Sequence, residues 1–84
     1  MNELQTQVAQ EIRRVVKGMD PTQPLTPTTR LLDEGLLSSL ELLELVLGLE
    51  TALSTSIPLE ELTSENFETI HDIAAMVKRA ADAK

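Results

Sequence analysis

Two adjacent serines carry the most chemistry in this chain. They sit in Gly35-Leu36-Leu37-Ser38-Ser39-Leu40-Glu41, which runs into Leu42-Leu43-Glu44-Leu45-Val46-Leu47. A serine at a helix N-terminus is a natural seat for a phosphate ester, because the helix dipole and the unpaired N–H groups there favour negative charge. Ser38-Ser39-Leu40-Glu41 fits a capping box, in which the Ser38 hydroxyl accepts from the Glu41 N–H and Glu41 reaches back to the cap. Leu37 and Leu42 occupy the positions of a hydrophobic staple around it. With Ser38 as the cap, Ser39 stands at the first helical position without a capping duty. Its hydroxyl is then free to project into solvent, and it is the better acceptor for a modifying enzyme.

No other residues offer comparable chemistry. There is no cysteine, so neither a disulfide framework nor a thiol nucleophile is available. The single histidine, His71, falls far from the serines in the last helix. It gives Ser39 no credible base with an orienting acid, and it cannot build a metal cluster alone. His71 therefore reads as an ordinary surface or part-buried residue.

The elements that position the serines follow from hydrophobic spacing. Residues 3–17 form an amphipathic pattern with Leu4, Val8, Ile12, Val15 and Val16 on one stripe, Asn2 as N-cap, Gln5 completing its box and Gly18 as the stop. From Met19 to Thr29, Pro21, Pro24 and Pro27 exclude a regular helix, and Leu25, Leu31 and Leu32 are the residues that would pin this long loop. The helix opened by Ser38 should run to Leu53 and break at Ser54-Thr55-Ser56. Pro58 can start a short turn of helix through Leu59–Leu62. Asn66 is the expected cap of a last helix over 67–82, with Phe67, Ile70, Ile73, Ala74 and Val77 as its apolar stripe and a charged end at Lys84. The expected fold is all-α: a small four-helix bundle of three principal helices and one short one, closed around an aliphatic core in a single domain over 1–84.

At about 100° per residue, Leu42, Leu45, Val46, Leu49 and Leu53 share the core side of the second helix. Glu41, Glu44, Gly48 and Thr51 fall opposite, and Leu40 and Leu47 fall with these acids. That outer face reads as a docking surface in which apolar anchors are ringed by charge. Glu50 is a further acid that could steer partners, and Glu60 and Glu61 could extend the rim.

The chain has 84 residues, with fourteen acids against seven bases and a net charge of −7. Such a balance argues against nucleic acid and anionic membranes, which require basic patches, and suits basic protein partners. No apolar run approaches the roughly 20 residues that span a bilayer, and the N-terminus lacks the pattern of a signal peptide. The expectation is a soluble, cytoplasmic monomer without membrane insertion.

With these residues in place, the chain resembles the acyl and peptidyl carrier proteins. The resemblance rests on Gly35 to Leu40, the acidic leucine-rich helix, Ile57-Pro58 and Glu65-Asn66-Phe67-x-Thr69-Ile70, and it covers nearly the whole chain in order. Its look is closest to small free-standing carriers, including D-alanyl and other aminoacyl carriers. The resemblance implies that Ser39 bears a covalent 4′-phosphopantetheine arm whose thiol takes an acyl or aminoacyl group as a thioester. It implies a phosphopantetheinyl transferase, a loading enzyme and acceptor enzymes as partners. These would dock on Leu40, Glu41, Glu44 and Leu47, and the chain itself would not be an enzyme. An alternative register would make Ser38 the modified residue, but the capping box and the downstream match both reject it. One departure stands out: Ser38 occupies the place of the family's aspartate, which keeps the cap and drops a negative charge. That departure motivates a second reading, an unmodified interaction subunit with the same fold.

Overall fold

The computed structural model describes residues 1–20, 22–33 and 35–83. Pro21 and Lys84, which the sequence assigned to the loop and the charged end, lie outside the described residues. The chain folds into α1 (Glu3–Val15), α2 (Ser39–Leu53), two 3-10 turns (Leu59–Glu61 and Ser64–Phe67) and α3 (Ile70–Asp82). Among the described residues there is no strand. The all-α bundle of three principal helices and a short fourth element is the fold the periodicity predicts.

α1 packs against both α2 and α3, and the second 3-10 turn packs against α3. The three apolar stripes meet in one aliphatic core. Val8 and Ile12 of α1, Leu45 and Leu49 of α2, and Ile70, Ile73 and Met76 of α3 are fully buried within it. Burying side chains of this size from water contributes about 1.5–3 kcal/mol each before entropic costs. The loop between α1 and α2 contributes as well. Leu25, Leu31 and Leu37 are buried, and Leu32 packs against the core half-buried. Two backbone bonds tie this loop to the start of α3: Leu31 N donates to Glu68 O at 2.8 Å, and His71 N to Pro27 O at 3.0 Å. Periodicity does not reveal such bonds, because they join segments far apart in sequence.

The caps fall where local chemistry places them, with two exceptions. Asn2 caps α1 through a full box with Gln5. That helix ends at Val15, two residues before the expected limit, and Gly18 has no left-handed φ. Val16 leaves the helical region at ψ 87°, Met19 N donates to Val16 O in the turn that follows, and Arg13 Nη2 donates to Gln23 O at 2.6 Å across it. The second exception is the start of α3. Asn66 is not its cap but a member of the second 3-10 turn, and its amide donates to Glu61 O at 2.6 Å and Glu61 Oε2 at 3.0 Å. The cap is Thr69, extended at φ −140°, whose Oγ1 accepts from Asp72 N at 3.1 Å. α3 therefore begins at Ile70, and the residues expected to be its first turn form a separate 3-10 turn.

Glu61 is also not a free rim acid. Arg79 Nη2 of α3 lies 3.2 Å from Glu61 Oε2 and 3.3 Å from Asn66 Oδ1, so three residues clasp the first 3-10 turn to α3. The Arg79 hydrogen bond first, then its charge and the Asn66 amide, hold the Glu61 carboxyl below its ordinary pKa against the opposing effect of desolvation. A depressed carboxylate pKa stabilises the fold above the unfolded-state value and loses that contribution as pH falls through the folded-state value. Two outcomes are expected. Thr69→Ala should cost about 1 kcal/mol in denaturant unfolding. Acidification from neutral pH through the carboxylate range should speed amide exchange in residues 59–63 relative to the helices, and Arg79→Gln should remove most of that pH dependence.

Candidate functional site: the tip and outer face of α2

The approach to the tip is built by a tight reversal. Gly35 N donates to Leu32 O, and Leu36 N to Leu31 O. Gly35 takes φ +70°, a left-handed conformation that a side chain disfavours, although nothing occupies the space beside it. The turn delivers the buried Leu37 to the core and Ser38 to the helix start.

At the tip the two serines have separate roles. Ser38 is extended, at φ −89° and ψ 170°, and its Oγ accepts from Glu41 N at 3.3 Å. Glu41 Oε1 in turn accepts from Ser38 N at 2.8 Å. Ser39 is the first residue of α2, exposed, and its hydroxyl makes no hydrogen bond to a described residue. The reciprocal box also brings a carboxylate to the cap.

The outer face of α2 carries three exposed leucines. Leu40, Leu43 and Leu47 are 67%, 56% and 63% exposed. Leu40 and Leu47 were expected there; Leu43 was missed, although the three–four spacing 40, 43, 47 marks a helical seam. Glu44 is exposed between them, whereas Glu41 is half-buried with one oxygen held in the cap. Glu50 turns inward: its Oε2 accepts from Ile57 N at 2.8 Å, and its carbonyl accepts from Thr55 N. It closes the exit from α2 and is not available as a steering acid. Glu60 is exposed on the first 3-10 turn beside Leu59, which is 82% exposed. His71 is a surface residue, as expected, 3.8 Å from the Asp72 carboxylate.

A hollow of about 480 Å3, lined by Lys17, Ser38, Leu40, Glu41 and Glu44 among others, lies at the tip. Two more flank this face. One is an apolar groove of about 230 Å3 between α2 and the 3-10 turns, lined by Leu42, Leu43, Val46, Leu62 and Phe67 among others. Leu42, Leu43 and Val46 stand three, four and seven residues beyond Ser39, so the groove continues the face on which Ser39 opens. The other hollow, of about 520 Å3, lies between α1 and α2 at Gly48. A Cβ at Gly48 would overlap Arg14 Nη2 and Glu11 Oε1, the ends of two α1 side chains laid across α2. Arg14 donates to Glu11 from both Nε and Nη2, at 3.1 and 2.7 Å. The Glu11 hydrogen bond, then the Glu11 charge, with Glu44 adding to it, raise the Arg14 pKa above its ordinary value.

Among the described residues, no group of His, Cys, Asp and Glu could hold a metal ion, and no helix is long and apolar enough to cross a membrane. A free serine at a helix tip, with its neighbour committed to the cap, fits covalent attachment of a phosphate ester. A match to the family model of the phosphopantetheine attachment site covers residues 3–77. The chain belongs to that family. Aminoacyl carrier protein 1 of Bradyrhizobium diazoefficiens is 35% identical over 81 residues, covering 92% of this chain and 89% of that protein. The solved structure of the glycylated carrier protein in complex with glycine:[carrier protein] ligase, from Bradyrhizobium japonicum, superposes with a TM-score of 0.77 at 26% identity, over 90% of this chain and 100% of that one. The protein is thus a carrier and not a catalyst. It holds an acyl or aminoacyl group on a covalent 4′-phosphopantetheine.

The cap makes a separable demand on position 38. Ser38→Asp, which preserves the acceptor oxygen, should leave the free energy of unfolding within about a few tenths of a kcal/mol, and Ser38→Ala should lower it by about 1 kcal/mol, both read by denaturant unfolding.

Proposed function

We propose that Ser39 is the attachment residue and that this carrier serves an aminoacyl group. One observation carries the assignment of the serine: the Ser38 hydroxyl is held in the cap while the adjacent Ser39 hydroxyl is exposed and makes no hydrogen bond to a described residue. Ser39 presents its Oγ where the first N–H groups of α2 point outward and favour an anionic ester. When attached, the arm supplies a terminal thiol that binds the carried group as a thioester. The apolar groove beyond Ser39 offers its walls to whatever lies along that face, and Phe67 backs it from the core.

The aminoacyl assignment draws on the relative named as an aminoacyl carrier and on the neighbour that was glycylated and bound to its ligase. The partners are then a phosphopantetheinyl transferase, an aminoacyl-loading ligase and a downstream acceptor. Leu40 and Leu47 act as anchors, with Leu43 beside them, and Glu44 steers. Glu41 contributes its charge from the cap, which lets a transferase meet an acid near Ser39 despite serine at position 38. Because these contacts are exposed, affinity should be modest and should fall with salt, as a carrier that must leave each enzyme requires.

The assignment is tested by intact mass after incubation with coenzyme A, magnesium and a broad-specificity phosphopantetheinyl transferase. The expected result is a gain of one phosphopantetheine that persists in Ser38→Ala and disappears in Ser39→Ala. The reverse pattern overturns the assignment. Absence of any gain, with the circular dichroism of a folded chain, favours the unmodified interaction subunit.

A further inference from the structure

The wall of the apolar groove opposite α2 is fastened at both ends to one side chain. Leu62, Thr63 and Ser64 line the groove, and in the chain they lie between Glu61 and Asn66. Arg79 of α3 grips both of these residues. Its Nη2 meets Glu61 Oε2 and Asn66 Oδ1, and its Nε lies 3.5 Å from Glu61 Oε1. The Asn66 amide closes the triangle by donating to Glu61 O and Oε2. None of the three clasp residues lines the groove itself. Packing gives the wall little other support before Phe67. The first 3-10 turn has no buried residue, Leu59 is exposed, and Leu62 is only half-buried against the core. An ion pair as exposed as that of Arg79 with Glu61 contributes little to stability. A planar guanidinium fork nevertheless fixes two acceptors at once. The clasp therefore sets the place of the wall, and with it the width of the groove.

We infer that Arg79 is a positioning residue for the covalent arm: through Glu61 and Asn66 it holds in place the wall of the groove in which the arm rests between enzymes. The inference rests on attachment at Ser39 as proposed above. The arm is the occupant because it starts on the side of α2 that Leu42, Leu43 and Val46 continue. Being tethered there, it meets the groove at a local concentration that no free molecule matches. Apolar walls with the hydroxyls of Thr63 and Ser64 at one edge suit a chain of methyl and methylene groups interrupted by amides. The α2 wall is a regular helix, so the opposite wall decides how well the groove is preformed. A wall already fastened loses no freedom when the arm enters. An unfastened wall must be ordered each time, and the arm then spends less time in the groove.

The test uses the holo carrier, made with coenzyme A and a broad-specificity phosphopantetheinyl transferase and checked by intact mass and circular dichroism. Leucine and valine methyl groups are isotopically labelled. Cross-relaxation between the methyl groups of Leu43 and Val46 and the geminal methyl groups of the arm then reads the time the arm spends in the groove. The wild type should show these contacts. Arg79→Gln and Glu61→Ala should weaken them at least about threefold with unchanged uptake of the arm, and Arg79→Lys should recover part of the loss. Asn2→Ala is the control. It removes the cap of α1, which does not line the groove, so it lowers stability and should keep wild-type contacts. If Arg79→Gln does not fold, Glu61→Ala carries the test. Wild-type contacts in the folded clasp variants overturn the inference. An equal loss in Asn2→Ala overturns it as well, because the effect is then one of stability alone. A holo wild type without contacts between arm and groove overturns the inference and leaves attachment at Ser39 standing. A wild type that takes up no arm overturns the attachment on which the inference rests.

Discussion

Two hydrogen bonds at the start of α2 govern everything the tip can do. Ser38 Oγ accepts from Glu41 N, and the Glu41 carboxylate accepts from Ser38 N. Together they fix the first turn of the helix and the direction in which the following side chains leave it. Because the cap is provided by one serine, the other is released. Because the return bond is made by a carboxylate, a negative charge is brought to the cap without residing at position 38. The same first turn sets the phase of the helix. Leu45 and Leu49 turn into the core, Leu42, Leu43 and Val46 continue the Ser39 side, and Leu40, Glu44 and Leu47 face outward.

How much of this was legible depends on how local its cause is. The start of α2 could be read because cap, box and staple coincide between Leu37 and Leu42. The start of α1 could be read from Asn2 and Gln5 for the same reason. α3 misleads because Asn66 has the right residue type in the right place, but its amide is taken by Glu61 and Arg79. The true signal, Thr69 followed by Asp72 three residues later, was present in the sequence. Glu50 misleads similarly: nothing near it in the chain announces that its carboxylate will meet the Ile57 amide. The wheel placed Gly48 with the acids opposite the core, but a wheel of one helix cannot show that Glu11 and Arg14 of α1 occupy the space above it. Residue types and periods therefore specified the helices, while hydrogen bonds that periodicity does not show, Ile57 to Glu50 and Arg79 to Glu61, withdrew two of the expected acids.

That division of the acids shapes the surface. Glu11, Glu41, Glu50 and Glu61 each hold an internal partner, and Glu44 and Glu60 remain exposed. The strongly negative net charge overstates what a partner meets at close range. Over longer distances it still draws basic surfaces, but contact is decided by a few exposed leucines and single charges. Such a face suits a protein that must be recognised by several enzymes in turn and retained by none.

Phe67 is the only aromatic residue in the chain, which has neither tryptophan nor tyrosine. It is buried in the core and yet lines the apolar groove beside α2. The molecule is consequently almost transparent in the near ultraviolet, and the tryptophan fluorescence of any enzyme bound to it belongs to that enzyme alone. In a proton spectrum in heavy water its ring signals share the aromatic region with those of His71 alone. One residue thus serves as a built-in gauge of the groove, reporting its filling without a label and without altering the surface that partners read.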